Sequence, residues 1–196
     1  MTLLQISDTH NLHQQLSDLP IADVLVHCGD FTDMGTEAEV LNFLNWFIDL
    51  PFSQKIFVTG NHDLCLWDAE KIEDLPDNVH FLQDNGCEVD GVKFFGVAYN
   101  HPVSLIPHDV DVLITHEPPF MILDRSNEIH WGNLALKNRV LEINPQYHLF
   151  GHAHEAYGVE QRGKTIFANG SVLDDHYRLC NAPLLHDITC INSRLL

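Results

Sequence analysis

The sequence predicts an α/β protein with a mixed sheet system. Three observations predict it: short apolar runs that each end in a polar cluster, an amphipathic helix between two of them, and two hairpin signals further along. In order, the runs are Leu3–Ile6, Val24–Val26, Lys55–Val58, Val112–Ile114 and Tyr147–Phe150. Their length and their Val, Ile, Leu and Phe content suit strands buried on both faces. Between the second and third, Thr36–Leu50 sets Val40, Leu41, Phe43, Leu44, Phe47 and Ile48 on one broad apolar face at helical spacing. Thr36 with Glu39 three residues on forms a capping box, and Pro51 follows the end. Strand, helix and strand in succession make a βαβ unit. Gly132–Ile143 reads as a second helix before the strand at Tyr147, and a short helix is expected over Leu12–Leu19. Gly86–Val97, with Asp90-Gly91, and Gly158–Ala168, with Arg162-Gly163, read as antiparallel hairpins.

With 196 residues the chain is long enough for one sizeable core and short for two, so a single domain over residues 1–196 is expected. No internal repeat, low-complexity tract or linker interrupts it. Acidic residues outnumber basic ones 28 to 10, and a formal charge of −18 with no basic run argues against extended nucleic acid as a partner. Any phosphate ligand must therefore be held by a local feature that overrides the global field, and metal ions supply one. Cys28, Cys65, Cys87, Cys180 and Cys190 are odd in number and lack C-x-x-C spacing, so they read as reduced thiols in a cytoplasmic protein. The chain opens directly into Leu3-Leu4-Gln5-Ile6 with no basic leader, and no run approaches membrane-spanning length. A membrane partner is not expected.

Chemistry-bearing residues fall where the strands end. In order they are Asp8-Thr9-His10, Gly29-Asp30, Gly60-Asn61-His62-Asp63, His116 and Gly151-His152-Ala153-His154. Loops beyond the carboxyl ends of strands form the ligand crevice of open α/β sheets, so clusters distant in sequence can converge there. Residues i and i+2 of an extended chain face one side, which lets Asp8 and His10 serve one region and His152 and His154 another. Imidazole, carboxylate and amide oxygen without thiolate suit Mn, Fe, Zn, Co or Ni. Seven candidate ligands, Asp8, His10, Asp30, Asn61, His116, His152 and His154, are too many for one tetrahedral ion and suit two divalent ions sharing a carboxylate. Taken singly, each cluster has a plainer explanation as a turn, a cap or a hydrogen-bonded core histidine. Jointly, in this order, they do not.

The ordered pattern D-x-H, G-D, G-N-H-D, an isolated His and G-H-x-H resembles the calcineurin-like metallophosphoesterase superfamily. The stretches Ile6–His10, His27–Thr32, Thr115–Pro119 and Phe150–Glu155 resemble, more narrowly, its metallophosphoesterase-domain-containing branch, whose animal members act on cyclic nucleotides. The resemblance implies an αββα arrangement, two mixed β-sheets packed as a sandwich flanked by helices. It also implies one metal on Asp8, His10, Asp30 and His154, the other on Asp30, Asn61, His116 and His152, with Asp30 bridging. Glu117 stands where relatives commonly have glycine, and His101–His108 has no counterpart in the pattern.

Two such ions activate a water as hydroxide and stabilise charge in an in-line displacement, so the expected activity is hydrolysis of a small phosphodiester, a cyclic nucleotide among the candidates, or of a phosphomonoester. By resemblance His62 stabilises the transition state or protonates the leaving oxygen, and Asp63 orients its ring or caps the segment that follows. Asn11 either approaches the substrate or caps the Leu12 helix; His13 is expected in solvent. His130 and Trp131 are candidate pocket walls, Arg125 and Arg178 candidate phosphate contacts, and Asn169-Gly170-Ser171 a turn near the site edge. Two other classes compete: partner-docking modules, such as the retromer subunit with this fold, which loss of ligands would favour, and phosphoprotein phosphatases, which share the metal cradle. Every ligand position being filled favours an enzyme, and the short chain without an Arg-rich clamp favours a small substrate.

Overall fold

The computed structural model describes residues 1–188, in which thirteen strands and two α-helices are assigned. The strands are β1 (Thr2–Ile6), β2 (Val24–His27), β3 (Gln54–Phe57), β4 (Val79–Phe81), β5 (Asn85–Val89), β6 (Val92–Gly96), β7 (Val112–Ile114), β8 (Arg125–Ser126), β9 (Ile129–His130), β10 (Tyr147–Phe150), β11 (Gly158–Arg162), β12 (Thr165–Asn169) and β13 (Leu184–Asp187). Helix α1 spans Glu37–Asp49 and α2 spans Leu134–Ile143. One sheet has the order β13-β1-β2-β3-β4, parallel except for β13; the other runs β11-β12-β10-β7-β6-β5 and is mixed. β8 and β9 form a small separate hairpin.

Period-2 alternation builds the layers. Leu3, Val24, Val26 and Ile56 of the first sheet meet Val92, Phe94, Val112, Ile114, Tyr147 and Leu149 of the second in one core between the sheets. Leu4, Ile6, Leu25 and Phe57 point the other way, onto Val40, Phe43, Leu44 and Phe47 of α1. Leu113, Phe150 and Phe167 likewise meet Leu136 and Val140 of α2. The result is the expected sandwich with a helix on each outer face. Gln5 ties the sheets together within it: its amide nitrogen donates to the Phe150 and Ala168 carbonyls, and its oxygen lies 3.0 Å from His186 Nε2. The capping box at Thr36 is present, and Lys55 Nζ donates to the Ile48 and Leu50 carbonyls at the end of α1, where a cation complements the helix dipole.

Several expectations need correction. The Leu12–Leu19 helix is a single 3₁₀ turn, His13–Gln15, with no side-chain cap; Asp18, at φ 58°, and Pro20 stop it from continuing. His13 is buried rather than solvated, because this turn covers α1: its ring packs on Phe43 and Trp46, and Nε2 lies 3.1 Å from Asn42 Oδ1. β4 and β13 had no sequence signal, being three- and four-residue segments at the sheet edges. The unmatched His101–His108 stretch covers α2 through Ile106, whose carbonyl accepts from Arg139. Glu117 accepts from the side chain of Asn133, the N-cap of α2. Cys28, Cys65, Cys87 and Cys180 are free thiols, and Cys190 lies outside the described residues. No helix among the described residues is long and apolar enough to cross a membrane.

Candidate metal centre

All seven predicted ligands gather where the parallel strands of both sheets end. The backbone does this by turning sharply: Asp8, His10, Asp30 and His152 all take left-handed φ values, 56°, 37°, 56° and 69°. Such conformations are disfavoured for residues with a Cβ and concentrate at functional sites. The chain must also come very close to itself. A Cβ on Gly60 would lie 2.2 Å from Asp30 Oδ1, and one on Gly151 2.2 Å from Asp8 Oδ2, so both positions require glycine.

The carboxylates and imidazoles sort into overlapping groups whose ligand atoms all lie within 4.8 Å: Asp8, His10 and His154; Asp30, His116 and His152; and His10, Asp30 and His62. Asp30 lies between the first two, its Oδ2 being 3.7 Å from His10 Nε2 and 3.2 Å from His116 Nε2. Asn61 Oδ1 is 2.9 Å from His116 Nε2. His152 and His154 do not share a region, as strand alternation suggests; the left-handed turn at His152 sends them to different groups.

Backbone carbonyls select the ring nitrogens. His116 Nδ1 donates to the Cys28 carbonyl at 2.9 Å and His154 Nδ1 to that of Asp174 at 2.9 Å, leaving Nε2 of each for the cleft. A second hydrogen bond of this kind fixes the tautomer of a metal-ligating histidine. Asp8 accepts from the His152 backbone N–H at 3.1 Å and from the Ser171 hydroxyl at 2.6 Å, so the Asn169-Gly170-Ser171 turn does reach the site.

These residues fit divalent metal. Asp8 is fully buried and Asp30 nearly so, and buried carboxylates require a nearby cation. In the protein alone, histidine plays that part: burial opposes the charge on His116, but Asp30 beside it prevails and raises its pKa to about 10. His10 is only 5% exposed, yet neither ring nitrogen has a hydrogen-bond partner. Its Nε2 lies 3.7 Å from Asp30 Oδ2, a buried imidazole nitrogen aimed at a buried carboxylate, which suits a metal ligand.

His62 lines the cleft, its ring edge-on to His10 with centroids 4.7 Å apart. Nδ1 donates to the Asp33 carbonyl at 2.7 Å, which leaves Nε2 as the atom able to move a proton. Asp63 neither orients that ring nor caps the following turn with its side chain. Fully buried, it instead accepts from the backbone N–H groups of Asp30, Thr32 and Gly60 and from the Thr32 hydroxyl, tying the β2 loop to the β3 loop. Burial, then the charge of Asp30, pushes its pKa up to about 7.

The cleft has a volume of about 250 Å³ and is lined by His10, Asp30, Asn61, His62, His152 and His154, with Ser126, Asn127, Trp131, Asp175 and Tyr177 around them. Of the predicted substrate contacts, none of Asn11, Arg125 and His130 lines it. Asn11 donates to Glu39, Arg125 pairs with Glu128, and His130 Nδ1 lies 2.7 Å from Asp124 Oδ1. Arg178 is likewise taken by Asp174. Trp131 is a wall, 6.2 Å from the His152 ring; Tyr177, which sequence reasoning missed, packs 4.8 Å from His10 and 5.4 Å from His154. Nothing local marks Tyr177, Asp175, Ser126 or Asn127, because Ser126 ends a two-residue strand and the others sit in turns, all too short to show periodicity.

The sandwich and its donor-lined cleft define the class, an α/β protein suited to hold divalent metal where its strands end. The chain belongs to the calcineurin-like phosphoesterase family, whose model matches residues 1–156. Among curated proteins it is 35% identical to a UPF0046 protein of Caenorhabditis elegans, over 92% of this chain and 72% of that one. It is 34% identical to the human metallophosphoesterase domain-containing protein 1, over 93% and 69%. Among solved structures, the phosphopantetheinyl hydrolase of Mycobacterium tuberculosis superposes with a TM-score of 0.60 over 90% of each chain at 15% identity, a likeness of fold.

Proposed function

We propose that this chain is a dinuclear metal-dependent phosphoesterase that hydrolyses a small phosphodiester. One observation carries the reading: Asp30 Oδ2 lies 3.7 Å from His10 Nε2 and 3.2 Å from His116 Nε2, between the Asp8–His10–His154 group and the His116–His152 pair, and lines a cleft that also holds His62. Asp8, His10, Asp30 and His154 would hold one divalent ion and Asp30, Asn61, His116 and His152 the other. Bound there, the ions supply positive charge for the phosphate oxygens and an activated water.

The chain's own residues do the rest. His62, held through Nδ1 by Asp33, delivers a proton from Nε2 to the leaving oxygen. Asp63 keeps the Asp30 and Asn61 loops in register, and Ser171 orients Asp8. Among the described residues, the side chains lining the cleft include the carboxylate of Asp175 and no Lys or Arg. A diester carries one negative charge fewer than a monoester dianion and is repelled less by the chain's formal charge of −18, which supports diester preference. A cyclic nucleotide is the candidate taken from the narrower sequence resemblance.

The test is a substrate screen of metal-reconstituted protein against model monoesters and diesters and against 2′,3′- and 3′,5′-cyclic nucleotides. Diester turnover exceeding monoester turnover is expected. Monoester turnover far above that of every diester would overturn the preference, and no metal-dependent turnover of any ester would overturn the phosphoesterase reading.

A further inference from the structure

Glu155 follows the proposed ligand His154 but belongs to neither ligand set. Its carboxylate reaches across to the β8–β9 hairpin, where Oε2 accepts from the Ser126 hydroxyl at 2.7 Å and from the Asn127 backbone N–H at 2.5 Å. Ser126 and Asn127 both line the cleft, as does Trp131 just after the hairpin.

The hairpin is poorly equipped to hold that position by itself. Each strand has two residues, Arg125, Ile129 and His130 are exposed, and both turn residues, Asn127 and Glu128, take left-handed φ values of 49° and 67°. An isolated two-stranded hairpin is marginal in water even when longer, and left-handed backbone at a residue with a Cβ adds a cost. Among the described residues, two carboxylates tether it. At the base, buried Asp124 accepts from the Met121 and Gly132 N–H groups and pairs with His130 Nδ1. At the cleft end the tether is Glu155.

We propose that Glu155 is a positioning residue that latches the hairpin onto the ligand-bearing loop and so sets Ser126 and Asn127 as the wall against the alcohol portion of the ester. The assignment of that wall rests on the phosphoesterase reading; the latch itself does not. Both accepted hydrogen bonds fall on one oxygen, so a glutamine amide oxygen can replace it, whereas alanine cannot.

The experiment compares the full chain with Glu155→Ala and Glu155→Gln. Hydrogen exchange at the Asn127 amide, measured with and without metal, should accelerate in Glu155→Ala by about tenfold or more, and stay near the original rate in Glu155→Gln. On the best model ester, KM should rise about 5- to 10-fold in Glu155→Ala, more than kcat falls, with metal content retained and KM restored in Glu155→Gln. Equal exchange in all three proteins, an unchanged KM in Glu155→Ala, or Glu155→Gln as impaired as Glu155→Ala would overturn the proposal. Loss of metal in Glu155→Ala would overturn it too, by moving Glu155 to the ligand set. If the unmodified protein turns over no ester, the function reading fails, and the exchange result alone decides the latch.

Discussion

His27 and His148 lie in different sheets but in matching surroundings, and both contrast with His116 of the metal centre. Each is fully buried, packed on phenylalanines, and paired through Nε2 with a threonine hydroxyl: His27 with Thr9 at 3.0 Å, His148 with Thr115 at 2.9 Å. Burial drives the pKa of each down to about 3, so both are neutral. His116 is just as buried, yet Asp30 drives its pKa the opposite way, to about 10. Burial alone expels charge; a buried carboxylate demands it back. His27 is structural because the Thr9 hydroxyl and the Gly29 N–H satisfy its two ring nitrogens, and among the described residues His148 keeps its Thr115 partner alone; His116 is a ligand candidate because the carboxylate beside it requires a cation.

Replacing the shared carboxylate should break that contrast most severely. Asp30→Asn is expected to fall below one tightly bound ion per chain and to lose more than about 10²-fold in turnover, since outer partners of metal ligands alone cost that much. Metal analysis and steady-state kinetics on the purified variant decide it; two retained ions with unchanged turnover would remove Asp30 from the bridging position.

Next in size is His62, which shares the cleft but is assigned to the proton rather than the metal. His62→Asn should keep both ions, lose about 10²–10⁴-fold on a nucleotide ester, and lose considerably less on a nitrophenyl ester whose leaving group needs no proton. Equal losses on both would point instead to stabilisation of the phosphate oxygens.

Asp63 sharpens the distinction between holding the site and performing chemistry. Asp63→Ala leaves three buried backbone N–H groups without an acceptor and should lower unfolding stability by on the order of 3 kcal/mol, seen as a shifted urea midpoint even without metal. An unshifted midpoint would show that the two loops are tied by something else.

The smallest effect belongs to the core pair. His148 is neutral when folded, with a pKa of about 3, and titrates near 6.5 when unfolded. Below pH 6.5 the unfolded chain therefore binds the extra proton, so stability is fully present above that pH and is lost as pH falls from 6.5 toward 3. His148→Phe should be less stable at pH 7, where it forfeits the Thr115 contact, but should lose about 2 kcal/mol less than the original protein between pH 6.5 and pH 5. Identical pH slopes from urea melts would assign the acid sensitivity elsewhere.

Most of this architecture was legible in the sequence because the signals are local. Alternation along Leu3–Ile6 or Val112–Ile114 marks a strand, Thr36 and Glu39 mark a helix start, and a carboxylate or imidazole directly after a buried run marks a strand-end ligand. What tertiary structure alone decided is long-range. Whether His152 joins His154 depends on a left-handed turn, and which nitrogen of His116 faces the cleft depends on a carbonyl at Cys28, 88 residues away. Asp63 was misread because its four donors come from loops that meet only after β2 and β3 pair. Arg125, His130 and Asn11 had the right chemistry for a phosphate, but nearby carboxylates at Glu128, Asp124 and Glu39 claimed them. Residue type and spacing determine what a side chain can bind, whereas the fold determines which competing partner reaches it first.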